Sequence, residues 1–395
     1  MKISTAGARG LTKVFDEPRQ SGLTLADVDP RLPVRLLTGP ARSGKSSVVR
    51  HMMKHHGGRR RVHIVPDDGI FEGLPTSAHR PDKRTAVLQN GSICFLMRDC
   101  DVVEALNILY LRRMGLVDEA ICFDDILIEV PVDVSPVAII SQINADSRLS
   151  LTYRFEAIAN VVDMANLRKQ VEREPAVVRM IARADVLILN KRDSLSNGDK
   201  DSVLVEVAAI NPFALTMTSE YGDVDASRLM SWDPIDIPGN VQGCNSESLG
   251  AVRMIPFGIK GPAKNAIGCL VNNPMNSARS NQANHMPPVR AVHLSLAGHA
   301  DIFQISSAVA EIADKVSDHL YRLKCVTAPT ATEHPVLFQY VDGALMPPAW
   351  AQPQVRPETR LTIVGRNFEP RQIMAGIACC YWDKEAIARG EVSPF

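Results

Sequence analysis

Gly39-Pro40-Ala41-Arg42-Ser43-Gly44-Lys45-Ser46 follows an apolar run at Val34 to Thr38 and begins a helical pattern that extends from Gly44 to His56. It fits G-x-x-x-x-G-K-[ST] at every fixed position, between a strand and a helix, which is the context that this phosphate-binding pattern requires. Its glycines let backbone N–H groups turn inward around phosphate oxygens, and the helix N-terminus adds partial positive charge. The stretch therefore predicts a site for a purine nucleoside triphosphate with Mg²⁺.

Two side chains of this stretch are candidates for the chemistry. Lys45 is expected to bridge the β- and γ-phosphates, and the Ser46 hydroxyl is expected to bind Mg²⁺. The alternative interpretation is a chance glycine loop in front of a helix. The residues predicted to contact the nucleotide here are Gly39, Pro40, Ala41, Arg42, Ser43, Gly44, Lys45, Ser46 and Ser47.

Apolar runs with the length of buried strands recur on the C-terminal side of this loop. They lie at Arg61 to Val65, Thr85 to Leu88, Ile126 to Val130, Phe155 to Val162 and Val186 to Leu189. Helical patterns lie between them, for example at Arg98 to Met114 and Glu174 to Arg183. Strands that alternate with helices predict an α/β fold, with a mostly parallel sheet and helices on both faces.

The polar stretch Asn190-Lys191-Arg192-Asp193 ends the last of these runs. A carboxylate at Asp193 can accept from both N1–H and the N2 amino group of guanine, whereas adenine would leave a buried Asp193 unpaired. The stem of Lys191 can cover the ring face, and Asn190 can tie the loop back to the phosphate loop. An ordinary polar turn is the alternative, but beside a phosphate loop the pattern predicts GTP rather than ATP.

Local composition and the periodicity of apolar residues divide the chain into four parts. Residues 1–32 are polar and turn-rich and are interpreted as a loosely attached tail, and residues 33–233 form the predicted nucleotide domain. Residues 234–288 are dense in Gly, Asn, Ser and Pro, which indicates a linker or an irregular insertion. Regular patterns return in residues 289–395, which are predicted to form a small α+β domain.

The composition argues against several classes of partner. The 44 basic and 44 acidic residues balance, so no global basic field attracts nucleic acid or anionic lipid. No apolar run reaches the roughly 20 residues of a membrane span, and the N-terminus lacks the apolar core of a secretory signal. The eight cysteines form no C-x-x-C pair, which favours a reducing compartment. We therefore expect a cytoplasmic protein with neither nucleic-acid nor membrane partners.

Several stretches beyond the two nucleotide motifs resemble the CobW-like GTPases, over roughly Pro33 to Cys380. The similar stretches are V-R-L-L-T-G at Val34 to Gly39, I-V-P-D-D-G at Ile64 to Gly69, L-Q-N-G-S-I-C-F at Leu88 to Phe95, V-V-D at Val161 to Asp163 and A-D-V-L-I-L-N-K-R-D at Ala184 to Asp193. The resemblance implies a P-loop GTPase domain with a C-terminal α+β domain. It also implies that GTP binding and hydrolysis serve to deliver Zn²⁺, Co²⁺ or Fe²⁺ to a client metalloenzyme or other target protein, or to assist cobalamin synthesis or nitrile hydratase maturation.

The chain departs from this family first at the metal-binding motif. Where the family has C-x-C-C, this chain has Ser92, Cys94 and Phe95, and Asp67 stands in the place of the family's acidic residue. The resemblance leaves Asp67 and Cys94 as the candidate ligands of a cargo metal. Two ligands fall short of the three or four that zinc takes from protein, so a packing role for Cys94 stays open.

The second departure lies at Glu129-Val130-Pro131-Val132, where the family has E-[ST]-[ST]-G. The resemblance implies that Glu129 acts near Mg²⁺, and with Lys45 it completes the predicted catalytic pair. The family's glycine N–H senses the γ-phosphate, but Pro131 has no N–H and Val132 resists a glycine-only conformation. Slow hydrolysis is therefore predicted.

Other interpretations remain for parts of the chain. A degenerate nucleotide-gated binding module with no metal of its own is one alternative, and a P-loop kinase is another, although N-K-x-D argues against a kinase. His51 and His55 have the i, i+4 spacing of helical metal ligands, but solvated polar residues are the default interpretation.

Overall fold

The computed structural model describes residues 29–55, 59–66, 85–97, 101–117, 120–231, 252–256, 267–272, 287–329, 334–351, 357–378 and 380. The described strands form two eight-stranded sheets, one in each half of the chain. Asp67, one of the predicted metal ligands, lies outside the described residues.

The first sheet contains the predicted buried runs in the order β3-β4-β2-β5-β1-β6-β7-β8. Every neighbouring pair is parallel except β3 and β4, which confirms the prediction of a mostly parallel sheet. The central strands are buried along most of their length and are mainly apolar because helices cover both faces. The strands are β1 Leu32–Thr38, β2 Arg61–Pro66, β3 Thr85–Val87, β4 Ile93–Met97, β5 Asp125–Glu129, β6 Tyr153–Asp163, β7 Val186–Asn190 and β8 Leu215–Thr218.

Eight described helices accompany this sheet, and side-chain caps fix where several of them begin. The Asp101 side chain accepts from the Glu104 N–H, and the Ser196 side chain accepts from the Asp199 N–H. The helices are α1 Lys45–Lys54, α2 Val102–Arg113, α3 Pro136–Ala145, α4 Ser147–Thr152, α5 Leu167–Arg173, α6 Pro175–Arg183, α7 Asn197–Ile210 and α8 Ala226–Ser231.

The carboxyl ends of β1, β5, β6 and β7 lie side by side at one edge of the sheet. They place Thr38, Glu129, Asp163 and Asn190 at that edge. Ligands of open parallel sheets bind outside the carboxyl ends of the strands, where the connecting loops diverge. The fold therefore gathers the predicted nucleotide residues at one edge.

The second sheet is antiparallel, in the order β14-β13-β12-β16-β11-β10-β9, with β15 paired to β13. Helix α9 buries Ile305, Val309 and Ile312 against it, as the helical spacing of these residues predicts. Its elements are β9 Val252–Pro256, β10 Ile267–Asn272, β11 Arg290–Ala297, α9 Ile302–Lys315, β12 Leu320–Thr327, β13 Val336–Val341, β14 Ala344–Leu345, β15 Ala349–Trp350, β16 Glu358–Gly365 and α10 Pro370–Ala378.

Strands β9 and β10 lie within residues 234–288, whose composition predicts a linker or an irregular insertion. That interpretation is wrong at these two stretches. Strand β10 pairs with β11 over six residue pairs, and β9 pairs with β10. A neighbouring strand supplies the hydrogen-bonding partners, so a stretch with weak alternation of its own can still extend a sheet.

The two halves of the chain meet through a buried ion cluster. Asp185, at the start of β7, accepts from Arg322 Nε at 2.9 Å, from Lys324 Nζ at 2.6 Å and from the Ile158 N–H at 2.8 Å. Both cations lie on β12 of the second sheet. Apolar residues of both halves also share one buried cluster beneath α6.

Candidate nucleotide and metal sites

The phosphate loop has the backbone geometry that its two glycines make possible. Gly39 has φ +151°, and a Cβ there would lie 2.6 Å from the Val161 carbonyl oxygen. Gly44 has φ +101°, and a Cβ there would lie 2.2 Å from Asn190 Nδ2. Any other residue at these two positions would displace the neighbouring strand ends, so the loop and the base-reading turn are built against each other.

Lys45 is held inside this loop and is only 8% exposed. Its Nζ donates to the Gly39 carbonyl at 2.9 Å and to the Pro40 carbonyl at 3.3 Å. Burial lowers the pKa of Lys45, and the nearby Glu129 carboxylate partly opposes that shift. A phosphate group in the loop would bring this ammonium the negative charge that carbonyl dipoles do not supply.

Ser46 and Glu129 meet beside Lys45. The Ser46 hydroxyl donates to Glu129 Oε1 at 2.9 Å, although 83 residues separate them in the chain. Glu129 ends β5 and is 3% exposed. Mg²⁺ in nucleotide sites is held by one or two such oxygens together with substrate phosphates. The donor set therefore fits Mg²⁺, and the structure brings both predicted residues to one place.

Asn190 joins the phosphate loop to the turn that follows β8. Its Nδ2 donates to the Ser43 carbonyl at 2.9 Å, which is the tie that the sequence predicts. Its Oδ1 accepts from the Gly222 N–H at 3.2 Å. Gly222 has φ +85°, and a Cβ there would lie 2.6 Å from the Ser47 carbonyl carbon. A lone glycine is the only local feature of the sequence that indicates this turn.

Lys191 is fixed by two contacts at the mouth of the site. Its Nζ lies 2.7 Å from both the Arg42 carbonyl oxygen and Asp163 Oδ2. Its backbone is left-handed, with φ +62°. These contacts hold the Lys191 ammonium between the phosphate loop and the carboxyl end of β6. Asp163 was missed as a site residue, although its place at the end of an apolar strand was a usable signal.

Asp193 is exposed, contrary to the expectation of a buried carboxylate. It lies in the short 3₁₀ turn Arg192–Ser194 and accepts from the Ser194 hydroxyl at 3.3 Å. The turn leaves β7 toward solvent, which is why the side chain is not covered. Guanine could still bond to Asp193, but water can solvate the carboxylate when another base is bound, so the penalty for adenine is smaller than predicted.

The predicted cargo ligands are not brought together in the described part of the chain. Cys94 is fully buried in an apolar cluster between the sheet and α1. Ser92 is also buried, and its hydroxyl accepts from the Arg61 N–H at 3.4 Å. Among the described residues, no three His, Cys, Asp or Glu side chains converge as a ready metal site.

The strand end that follows Glu129 differs at two positions from the backbone of a γ-phosphate sensor. Pro131 has no N–H, and Val132 does not adopt a left-handed backbone. Pro131 instead accepts from the Val134 N–H at 3.1 Å. Val132 is 50% exposed, so this turn presents apolar surface beside the nucleotide site.

Comparison with known proteins places this geometry in a family. The model "CobW/HypB/UreG, nucleotide-binding domain" matches residues 33–217, and "Cobalamin synthesis protein cobW C-terminal domain" matches residues 289–381. The chain belongs to the CobW family. The first match spans the first sheet and includes every described residue of the predicted nucleotide site, and the second match spans the second sheet from β11 onward but not β9 and β10.

Two curated relatives are similar to this CobW-family chain. Zinc-regulated GTPase metalloprotein activator 1 of Schizosaccharomyces pombe is 27% identical over 258 residues, 62% of this chain and 60% of the relative. Zinc chaperone YjiA of Escherichia coli is 25% identical over 213 residues, 53% of this chain and 64% of the relative. The chain thus matches less than two thirds of the length of each relative.

A solved structure supports the fold. The crystal structure of Zn(II)-bound YjiA GTPase from E. coli is 20% identical, has a TM-score of 0.57, and covers 89% of this chain and 99% of its own. In the described residues, no helix combines the length and the apolar character needed to cross a membrane.

Proposed function

We propose that this CobW-family protein binds GTP with Mg²⁺, hydrolyses it slowly, and uses the cycle to deliver a metal ion to a client metalloenzyme or other target protein in the cytoplasm. The observation that carries the proposal is the convergence of Lys45, Ser46 and Glu129 with Asn190 at one edge of the sheet. The names of the two relatives make zinc the first metal to test. Co²⁺ and Fe²⁺ are the next two.

The residues divide the phosphoryl-transfer chemistry among themselves. Lys45 and the N–H groups of the loop stabilise negative charge on the leaving and transferred phosphates. Ser46 and Glu129 would hold Mg²⁺, which supplies further charge neutralisation between these groups when it is bound. Asn190 holds the base-reading turn against the loop, and Lys191 covers the base.

The slow rate follows from the turn after β5. Proton and charge movements at the γ-phosphate need donors aimed at the oxygens where charge develops. Pro131 cannot donate, and the backbone at Val132 does not have the conformation that glycine supplies. The same absence would weaken the conformational response to hydrolysis.

Thermal-shift and turnover measurements test the nucleotide part of the proposal. GTP with Mg²⁺ should raise the melting temperature more than ATP with Mg²⁺, and phosphate release from GTP should be slow. Lys45→Ala should remove both effects, whereas Arg50→Ala, an exposed change on the same helix, should preserve them. Equal stabilisation of the wild type by GTP and ATP would refute the guanine assignment, and rapid turnover would refute the slow cycle.

A separate titration tests the metal part. Zn²⁺, Co²⁺ and Fe²⁺ are added anaerobically, with and without GTP, to the wild type and to Cys94→Ala. Loss of affinity in Cys94→Ala would support the cargo ligand inferred from the family motif. Unchanged affinity would exclude Cys94, as its apolar surroundings favour. Absence of any metal binding would favour the alternative of a nucleotide-gated binding module.

A further inference from the structure

A second polar cluster lies on α1, outside the phosphate loop. His51 and His55 lie one turn apart on the helix side, and Asp223 faces them from the turn after β8. Together with Lys54 and the residues from Val224 to Ser227 they line an open cavity of about 660 Å³. None of these side chains has a role in the nucleotide chemistry described above.

His51 and Asp223 already have the spacing of two ligands on one metal ion. His51 Nε2 lies 3.2 Å from Asp223 Oδ1. Two ligand atoms about 2.0–2.1 Å from a tetrahedral zinc ion lie roughly 3.3 Å apart, so this pair needs almost no rearrangement.

The ring of His55 contacts the backbone of its own helix. His55 Nδ1 lies 3.1 Å from the His51 carbonyl oxygen, and a carbonyl only accepts. A proton on Nδ1 satisfies this contact and leaves the lone pair of the neutral ring on Nε2, as where a backbone carbonyl orients a metal-binding histidine. The two imidazole rings are stacked with centroids 4.3 Å apart.

The third ligand has to move into place. As they stand, no three such side chains in the described residues converge on one point. His55 is exposed and Asp223 is 80% exposed, so the small side-chain rotations that would close the site do not disturb packing. The cavity carries one cation at Lys54 against two carboxylates at Asp223 and Asp225, so its charge favours a divalent cation.

We propose that His51, His55 and Asp223 form a three-ligand site for a divalent transition metal such as Zn²⁺, with the remaining coordination position open to water or to a partner's ligand. Imidazole and carboxylate donors suit zinc and the neighbouring divalent ions. The site is separate from Cys94, which is buried in the apolar cluster.

The cluster is joined to the nucleotide site through the backbone. Asp223 follows Gly222, whose N–H donates to Asn190 and whose backbone lies against Ser47. A metal that ties Asp223 to α1 would hold this turn against the residues that contact the base and phosphates. Metal and GTP should therefore raise each other's affinity by the same factor. Only this coupling depends on the proposed function.

Zinc titration against a chromophoric chelator tests the site in the full-length protein. The wild type should bind one zinc ion. His55→Ala and Asp223→Asn should each weaken it by at least the 10–100-fold seen when metal-site support is lost. Cys94→Ala should have no effect, and Lys54→Ala should preserve or tighten binding. Circular dichroism and melting curves check folding, which exposed changes should not affect.

Three results would overturn the proposal. They are the absence of zinc binding by the wild type, unchanged binding in both His55→Ala and Asp223→Asn, or loss of binding in Cys94→Ala alone. A Co²⁺ spectrum adds an independent readout, since thiolate-to-metal charge transfer should be missing. GTP thermal shifts recorded in parallel separate the two ideas. Normal GTP binding without zinc binding would contradict only the proposed metal site. Zinc binding without GTP binding would contradict only the proposed function.

Discussion

Two buried charged clusters in this molecule differ in how their charges are satisfied. At the interface between the halves, Asp185 accepts from two cations and a backbone N–H, and each partner lies within 3.2 Å. In the phosphate loop, the ammonium of Lys45 donates to two backbone carbonyls. The first cluster is complete within the chain and holds the fold together. The second is completed only by an anionic ligand.

The pKa values express the same difference. Burial alone would raise the pKa of Asp185, but the charges of Arg322 and Lys324 outweigh burial and hold the pKa below its usual value of 3.8. Burial lowers the pKa of Lys45, and Glu129 only partly restores it. The protein thus favours the charged form of Asp185 and disfavours the charged form of Lys45. A bound phosphate would stabilise the charged form of Lys45.

The largest expected effect is on stability, from Asp185→Ala. Removal of this carboxylate leaves Arg322 and Lys324 buried without their anion, which should cost about 3–5 kcal/mol of unfolding free energy. Urea denaturation followed by tryptophan fluorescence measures the change. Asp201→Ala removes an exposed carboxylate on α7 and should stay within about 0.5 kcal/mol. Equal losses in the two variants would show that the interface cluster has no special part in stability.

The next effect is on ligand binding rather than on stability. Lys45→Ala should reduce GTP turnover by about 10²–10³, because a buried cation aimed at the phosphates is lost. Its unfolding free energy should stay the same or rise, since an under-satisfied buried charge is removed. A calorimetric titration with GTP measures binding, a phosphate-release assay measures turnover, and a urea curve measures the unfolding free energy. A stability loss comparable to that of Asp185→Ala would mean that the two clusters are alike.

Glu129→Gln should affect the metal requirement more than nucleotide binding itself. The amide keeps the size of the side chain and can still contact Ser46, but it loses the charge that attracts Mg²⁺. The Mg²⁺ concentration for half-maximal hydrolysis should rise roughly 10–100-fold. Nucleotide binding in the presence of a chelator should not change. An unaltered Mg²⁺ dependence would place the ion elsewhere.

The smallest effect is expected at Asp193. A hydrogen bond to a charged group contributes about 1.5–3 kcal/mol, and an exposed carboxylate should fall at the lower end, close to a 10-fold change. Asp193→Asn should therefore narrow the preference for GTP over ATP by about that factor. Competition binding with both nucleotides measures it. A change of several thousand-fold would show that the bound base buries Asp193 completely.

The contrast between the clusters also marks what the sequence could reveal. The phosphate loop and the turn at Asn190 could be predicted because local spacing encodes them, and buried apolar runs reveal the parallel strands. The ion pair between Asp185 and Arg322 joins residues 137 positions apart. The sequence around either residue does not indicate that the two will pair. The exposure of Asp193 likewise depends on the path of a turn, which residue types do not specify.

Contacts with neighbouring elements explain the remaining differences between the predicted and the observed structure. Strands β9 and β10 carry too little alternation to be recognised alone, and they form because β11 offers an edge to pair with. The pairing of Asp223 with His51 depends on how the turn after β8 folds back onto α1. The i, i+4 spacing of the histidines was visible in the sequence, but their third neighbour was not.

Strand β7 begins beside Asp185 and ends at Asn190, five residues later. At about 3.3 Å per residue, this continuous extended segment is roughly 16 Å long. The ion pairs of Asp185 hold its first end to the second half of the molecule, and its last residue holds the base-reading turn. If a docking client displaces the C-terminal sheet, β7 would therefore transmit that displacement along its axis to the nucleotide site.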